Sequence, residues 1–118
     1  MILVVDDDEN IRIPFVQLLQ SHGYEVAGME NGRAALDFLE SGEELPSLIF
    51  LDLMMPVMNG IELLGKLQNS EKLKDVPVIV LTAYGERTGN LRANEVYDKP
   101  FRFSDMLTVA NRYCSKTV

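Results

Sequence analysis

Ser47-Leu48-Ile49-Phe50-Leu51-Asp52 is an apolar run that ends on an acid. A strand with one wet face alternates polar and apolar residues; a run without alternation is buried on both faces, as in the middle of a parallel sheet. Two other stretches share this form: Ile2 to Val5 stops at Asp6, Asp7 and Asp8, and Val76 to Leu81 stops at Thr82. All three read as buried strands. Tyr24 to Met29 alternates more and reads as a strand nearer an edge. Glu95 to Asp98, just before Lys99-Pro100, is a fifth and shorter one.

Helical spacing fills the intervals. Ile11, Phe15, Leu18 and Leu19 fall at i, i+4, i+7 and i+8, and Ala35, Phe38 and Leu39 follow Asn31-Gly32. Ile61, Leu64 and Leu67 follow Gly60. Met106, Leu107, Ala110, Tyr113 and Cys114 follow Ser104, which reads as an N-cap. Alternating strands and helices predict an α/β doubly wound fold, a parallel sheet with right-handed crossovers and helices on both faces. Pro14 bears on where the first helix begins. A start capped by Asn10 keeps the proline in the first turn, where its missing N–H costs no bond, so the later start is expected.

The chain has 118 residues, 47% of them hydrophobic and 25% charged, enough for one core and too few for two ordinary domains. One domain over residues 1–118 is expected. The net charge of −7 argues against direct nucleic-acid binding, which needs a basic face, and favours a protein partner. No apolar run approaches the roughly 20 residues needed to span a bilayer, and no basic segment precedes an apolar stretch at the N-terminus, so a cytoplasmic protein without membrane attachment is expected. The single cysteine, Cys114, lies on the apolar stripe of the last helix and reads as a buried structural thiol. Asp8 and Glu9 read as caps or dipole partners of the first helix, and His22, beside Gly23, as a dipole contact at its end.

In open parallel sheets ligands bind beyond the carboxyl ends of the strands. The residues there are Asp6, Asp7, Asp52, Thr82 and Lys99. One polar residue ending a strand is ordinary loop chemistry; four strands that deliver three carboxylates, a hydroxyl and an ammonium to one edge are not. Three carboxylates held together repel one another, which a divalent cation relieves. An all-oxygen donor set without a Cys or His cluster points to Mg²⁺, which retains waters and recruits phosphate oxygens. A carboxylate nucleophile, a metal, an ammonium and a hydroxyl around three phosphoryl oxygens are the parts phosphoryl transfer needs. Asp52 is the candidate nucleophile.

These residues resemble the receiver domain of two-component response regulators. The resemblance is carried by Ile2-Leu3-Val4-Val5-Asp6-Asp7, Leu51-Asp52-Leu53-Met54-Met55-Pro56 with Asn59-Gly60, Val80-Leu81-Thr82-Ala83, and Lys99-Pro100-Phe101. It implies a flavodoxin-like sheet of strand order 2-1-3-4-5. It implies that a histidine kinase or phosphotransfer protein phosphorylates Asp52, with Mg²⁺ held by Asp7, by Asp6 mainly through water, by Asp52, and by the backbone carbonyl of Met54. Thr82 and Lys99 would bind phosphoryl oxygens, small Ala83 would leave room for the group, and the Lys99-Pro100 bond would be cis. The domain would catalyse its own phosphorylation and dephosphorylation without being a turnover enzyme, and its state would change binding to a downstream effector protein or domain, or to a second copy in a homodimer.

The sequence departs from receivers at two places. The position three before the lysine, aromatic in receivers, is Val96, and Tyr97 beside it should face the other side of the strand. Aromatic switching is therefore not expected. Thr82 and Lys99 are 17 positions apart, more than a helical turn closer than usual, and Gly85, Thr88, Gly89 and Asn90 between them are poor helix formers. The fourth helix of the family is thus expected to be short or absent, with signalling through ordering of Tyr84 to Asn94. Met54 and Tyr84 flank the site and are expected to gate water. A degenerate receiver acting as a phosphate-independent binding module is the alternative. A phosphatase of the haloacid-dehalogenase kind would need an acid where Met54 stands. A flavin or dinucleotide protein would need a phosphate-binding loop where Asp7-Asp8-Glu9 stands.

Overall fold

In the computed structural model, residues 1–42, 44–53, 55, 57–83 and 93–114 are described. Five parallel strands, β1 (Ile2–Val5), β2 (Val26–Met29), β3 (Leu48–Asp52), β4 (Val78–Thr82) and β5 (Glu95–Asp98), form one sheet in the order β2-β1-β3-β4-β5. The described residues form four helices, α1 (Glu9–Ser21), α2 (Gly32–Ser41), α3 (Gly60–Gln68) and α4 (Phe103–Tyr113). This is the expected doubly wound, flavodoxin-like architecture. The interval 84–92, where the fourth helix of the family was expected to be short or absent, lies outside the described residues.

The runs without alternation are buried on both faces because both faces carry helices. Leu3, Val5, Ile49, Leu51, Val78 and Val80 pack against α2 and α3. The residues between them, Ile2, Val4, Leu48, Phe50, Ile79 and Leu81, pack against α1 and α4. Phe15 of α1 anchors the second layer, its ring edge-on to Phe50 at 4.8 Å and stacked on Phe103 at 5.4 Å. Fully burying one such ring contributes about 1.5–3 kcal/mol. Cys114 belongs to this layer, and burial pushes its thiol above the usual range. No described helix is long and apolar enough to cross a membrane.

Local chemistry at the helix ends departs from expectation in two places. Helix α1 starts at Glu9, capped by Asp8, whose carboxylate accepts from the Asn10 amide at 2.9 Å; Asn10 is not the cap. Pro14 is therefore inside the helix. It cannot donate to the Asn10 carbonyl, but both residues are exposed, so the missing bond falls on the solvent side of the helix, where it is tolerated. Helix α4 starts at Phe103 rather than after Ser104, and Arg102 at its cap position makes no side-chain cap bond. Phe103 is drawn into the aromatic layer, and tertiary packing outweighs the better capping residue. Ile61, expected on the buried stripe of α3, is 50% exposed; Leu63, Leu64 and Leu67 form that stripe. His22 behaves as read, its Nδ1 lying 3.0 Å from the Leu18 carbonyl at the end of α1.

Restoring the N–H at the exposed interior proline removes a helix-breaking cost of about 3 kcal/mol, less about 0.4–1 kcal/mol for the freer unfolded chain. Pro14→Ala is thus expected to raise the thermal unfolding midpoint by several degrees in a calorimetric scan.

Candidate functional site

In the order β2-β1-β3-β4-β5, the direction of chain winding reverses between β1 and β3. Neighbouring helices diverge there onto opposite faces and leave a crevice at the carboxyl ends. Asp6 follows the last residue of β1, and Asp52 is the last residue of β3. Both carboxylate side chains are buried, while Asp7 is exposed. Each of the three offers an oxygen, and these atoms lie within 4.8 Å of one another.

Lys99 follows β5 and supplies the counter-charge. Its ammonium is 3.0 Å from Asp6 Oδ2 and 3.5 Å from Asp52 Oδ1, with the side chain 17% exposed. The Lys99 amide donates to the Thr82 carbonyl at 2.8 Å, and the Lys99-Pro100 bond is cis, as the resemblance implied. Thr82 is fully buried at the end of β4. Four strands thus bring together all five residues singled out from the sequence. Met54 and Tyr84 lie outside the described residues.

The loop between Asp52 and α3 is held from two sides. Val57 and Met58 have φ of +47° and +61°, left-handed backbone that costs non-glycine residues about 1–3 kcal/mol each. The Met58 carbonyl accepts from the Gly32 amide at 3.1 Å, and a Cβ on Gly32 would stand 2.1 Å from that oxygen. Gly60 opens α3 with its amide on the Leu53 carbonyl at 2.9 Å, and a Cβ there would come within 2.5 Å of the Asp52 carbonyl. The two glycines let α2 and α3 close on the main chain that carries Asp52. Asn31-Gly32 and Asn59-Gly60 read from the sequence only as helix starts; this second role needs the spatial approach.

Register places Val96 and Tyr97 on opposite faces of β5. Val96 pairs with Val80 and Tyr97 with Leu81, residues of opposite core layers. Tyr97 packs toward α1 and α4, where its hydroxyl donates to Glu95 Oε1 and accepts from Arg112 Nη2 at 3.1 Å. Tyr113 donates to Glu95 Oε2 at 2.7 Å. Burial pushes the Glu95 carboxyl up, but the hydrogen bonds from Tyr97, Tyr113 and Arg112 outweigh it and hold Glu95 below the usual carboxylate range. Val96 is 40% exposed, and the neighbouring aromatic is engaged on the other face.

A doubly wound sheet whose switch-point crevice holds three carboxylates, a lysine and a buried threonine defines an acid-site α/β domain suited to a hard cation and a phosphoryl group. The chain matches the family model of the response regulator receiver domain over residues 2–111, and it belongs to that family, the phosphorylation-dependent switch of two-component signalling. Among curated relatives it is 33% identical to sporulation initiation phosphotransferase F of Bacillus subtilis, over 95% of this chain and 91% of that one. It is 39% identical to the phosphate regulon regulatory protein PhoB of Pseudomonas aeruginosa, over 80% of this chain and 41% of that longer protein. Among solved structures it is similar to the response regulator TrrA of Thermotoga maritima, in complex with Mg²⁺ and a beryllium fluoride, with 36% identity, TM-score 0.82 and coverage of 96% and 97%. It is similar also to the receiver domain of the sensor histidine kinase PA1611 of Pseudomonas aeruginosa, which carries a magnesium ion in its active-site cleft (26% identity, TM-score 0.84, coverage 95% and 94%).

The donor set here fits the same ion: oxygen only, two buried carboxylates and one exposed, close enough to share one cation. Asp6, Asp7 and Asp52 would hold it.

Two outcomes follow from the geometry. Lys99→Met leaves the buried Asp6 and Asp52 carboxylates without their ammonium, and stability without Mg²⁺ is expected to fall by about 3 kcal/mol in urea unfolding; added Mg²⁺ should raise the midpoint more in the variant than in the wild type. Gly32→Ala drives a methyl into a backbone oxygen and is expected to cost at least about 2 kcal/mol in the same assay.

Proposed function

We propose that Asp52 accepts a phosphoryl group from a histidine kinase or histidine phosphotransfer protein, and that the modified domain changes its binding to a downstream effector protein or domain. The observation that carries this reading is the Lys99 ammonium lying 3.0 Å from Asp6 and 3.5 Å from Asp52, at a switch point that also presents Asp7. An Asp52 oxygen attacks the donor phosphorus, a P–O bond to Asp52 forms, the bond from phosphorus to the donor breaks, and the donor leaves with that electron pair. Lys99 sits beside the acceptor oxygen and follows the phosphoryl oxygens as charge moves onto Asp52. Thr82, which ends the neighbouring strand, offers a hydroxyl donor to one of them. Magnesium, when bound by the three carboxylates, offsets the charge on the phosphoryl oxygens and orients them.

Such a domain catalyses its own modification and loses the group by hydrolysis, so it is not a turnover enzyme. Its relatives support the assignment: one is named a phosphotransferase of sporulation initiation, another a transcriptional regulatory protein of the phosphate regulon.

Incubation with Mg²⁺ and acetyl phosphate, followed by intact-mass measurement, is expected to add the mass of one phosphoryl group to the wild type and none to Asp52→Asn. The adduct should be labile to base, as an acyl phosphate is. A wild type that stays unmodified, even with its cognate donor, would leave the phosphate-independent binding module as the function.

A further inference from the structure

Arg12 is a charged residue on the buried stripe of α1, four positions before Val16 and seven before Leu19. Its side chain is only 14% exposed, and its one ion-pair partner among the described residues, Glu9, stands 4.0 Å away and is 75% exposed. A pair that long and that wet does not explain a guanidinium taken out of water. Its hydrogen bond does: Nη1 donates to the backbone carbonyl of Asp6 at 2.8 Å. The arm runs over Gly28 of β2: a Cβ there would crowd Val16 at 3.2 Å and rest in ordinary contact with the Arg12 stem at 3.5 Å.

That carbonyl is a particular one. The β1–β2 ladder closes at the Val5–Met29 pair, and the Asp6 amide donates to the Met29 carbonyl at 3.1 Å. Beyond that point the chain leaves the sheet. The Asp6 carbonyl belongs to the planar peptide unit joining Asp6 to Asp7, so its direction sets where the Asp7 side chain starts. Asp6 is then gripped at every polar atom: amide by Met29, carbonyl by Arg12, Oδ1 by the Asp8 amide at 2.9 Å, and Oδ2 by Lys99 at 3.0 Å.

We propose that Arg12 is a positioning residue for the cation site: it fixes the Asp6–Asp7 peptide plane and so holds the two carboxylates in register with Asp52. The inference rests on the reading of the acidic cluster as a Mg²⁺ site. Position and charge predict opposite signs. Removing a positive charge near a cation site strengthens cation binding by Coulomb's law, whereas loosening groups that orient metal ligands weakens it, typically by 10–100-fold.

The test is a Mg²⁺ titration at constant ionic strength, read from the backbone amide NMR shifts of residues 6–8, on wild type, Arg12→Met and Arg12→Lys, below the unfolding range of each variant. Arg12→Met is expected to bind Mg²⁺ about tenfold more weakly. Arg12→Lys, which keeps a donor for the carbonyl, should recover much of the loss. If Arg12→Met does not fold, Arg12→Gln, uncharged and too short to reach, carries the same expected loss. Unchanged or tighter binding in the variant that lacks the guanidinium overturns the positioning role. A wild type that itself shows no Mg²⁺-dependent shifts overturns the cation-site reading on which that role rests.

Discussion

Asp6 and Asp52 end adjacent parallel strands with their carboxylates buried side by side, and two like charges in that position are tolerable only with a counter-charge at hand. The Lys99 ammonium supplies it, within 3.5 Å of both. The lysine arrives from β5, at the far edge of the sheet, so the pairing spans four neighbouring strands, β1, β3, β4 and β5, with Thr82 at the end of β4 between them. The fold's order and the site's electrostatics are therefore one constraint. A sheet wound differently would separate the acids or strand them without the base.

Around that charge cluster the main chain is unusually restrained. On one side the Asp6 peptide is held by β2, α1 and the turn into Asp8. On the other, the turn after Asp52 carries left-handed backbone at Val57 and Met58, closed in by Gly32 and Gly60. Both restraints act on backbone, which suits a site whose work is to place oxygens around a small, highly charged group. The edge at β5 is built differently: Val96 is exposed, and Tyr97 is tied to Glu95 and Arg112 on the α1–α4 side. A relay from Thr82 through an aromatic ring at position 96 has no ring to use in this chain.

Much of this was legible in the residues. Non-alternating runs told of buried strands, and the acids, threonine and lysine at their ends marked the site; all five converge in the structure. Period-two geometry alone puts Val96 and Tyr97 on opposite faces, and the strand register agrees. Helix starts were less legible. Asp8 and Asn10 are both good caps, and the proline rule favoured the later one, yet the exposed Asn10 carbonyl can turn to water and the earlier start prevailed. Ser104 is the better cap by type, but packing the half-buried Phe103 against aromatic rings outweighed it.

Arg12 shows where pattern reading stops. Its signal was present, a charge on an apolar stripe, but its meaning depends on which carbonyl comes within reach when α1 folds back over β1. The same holds for Gly32, whose missing side chain matters only because Met58 lies across it. The sequence by itself determined the elements, the two buried layers and the identity of the polar groups gathered at the strand ends, because periodicity and residue chemistry are local properties. Only the tertiary structure decided which residues hold those groups in place, because that depends on distances between segments far apart in the chain.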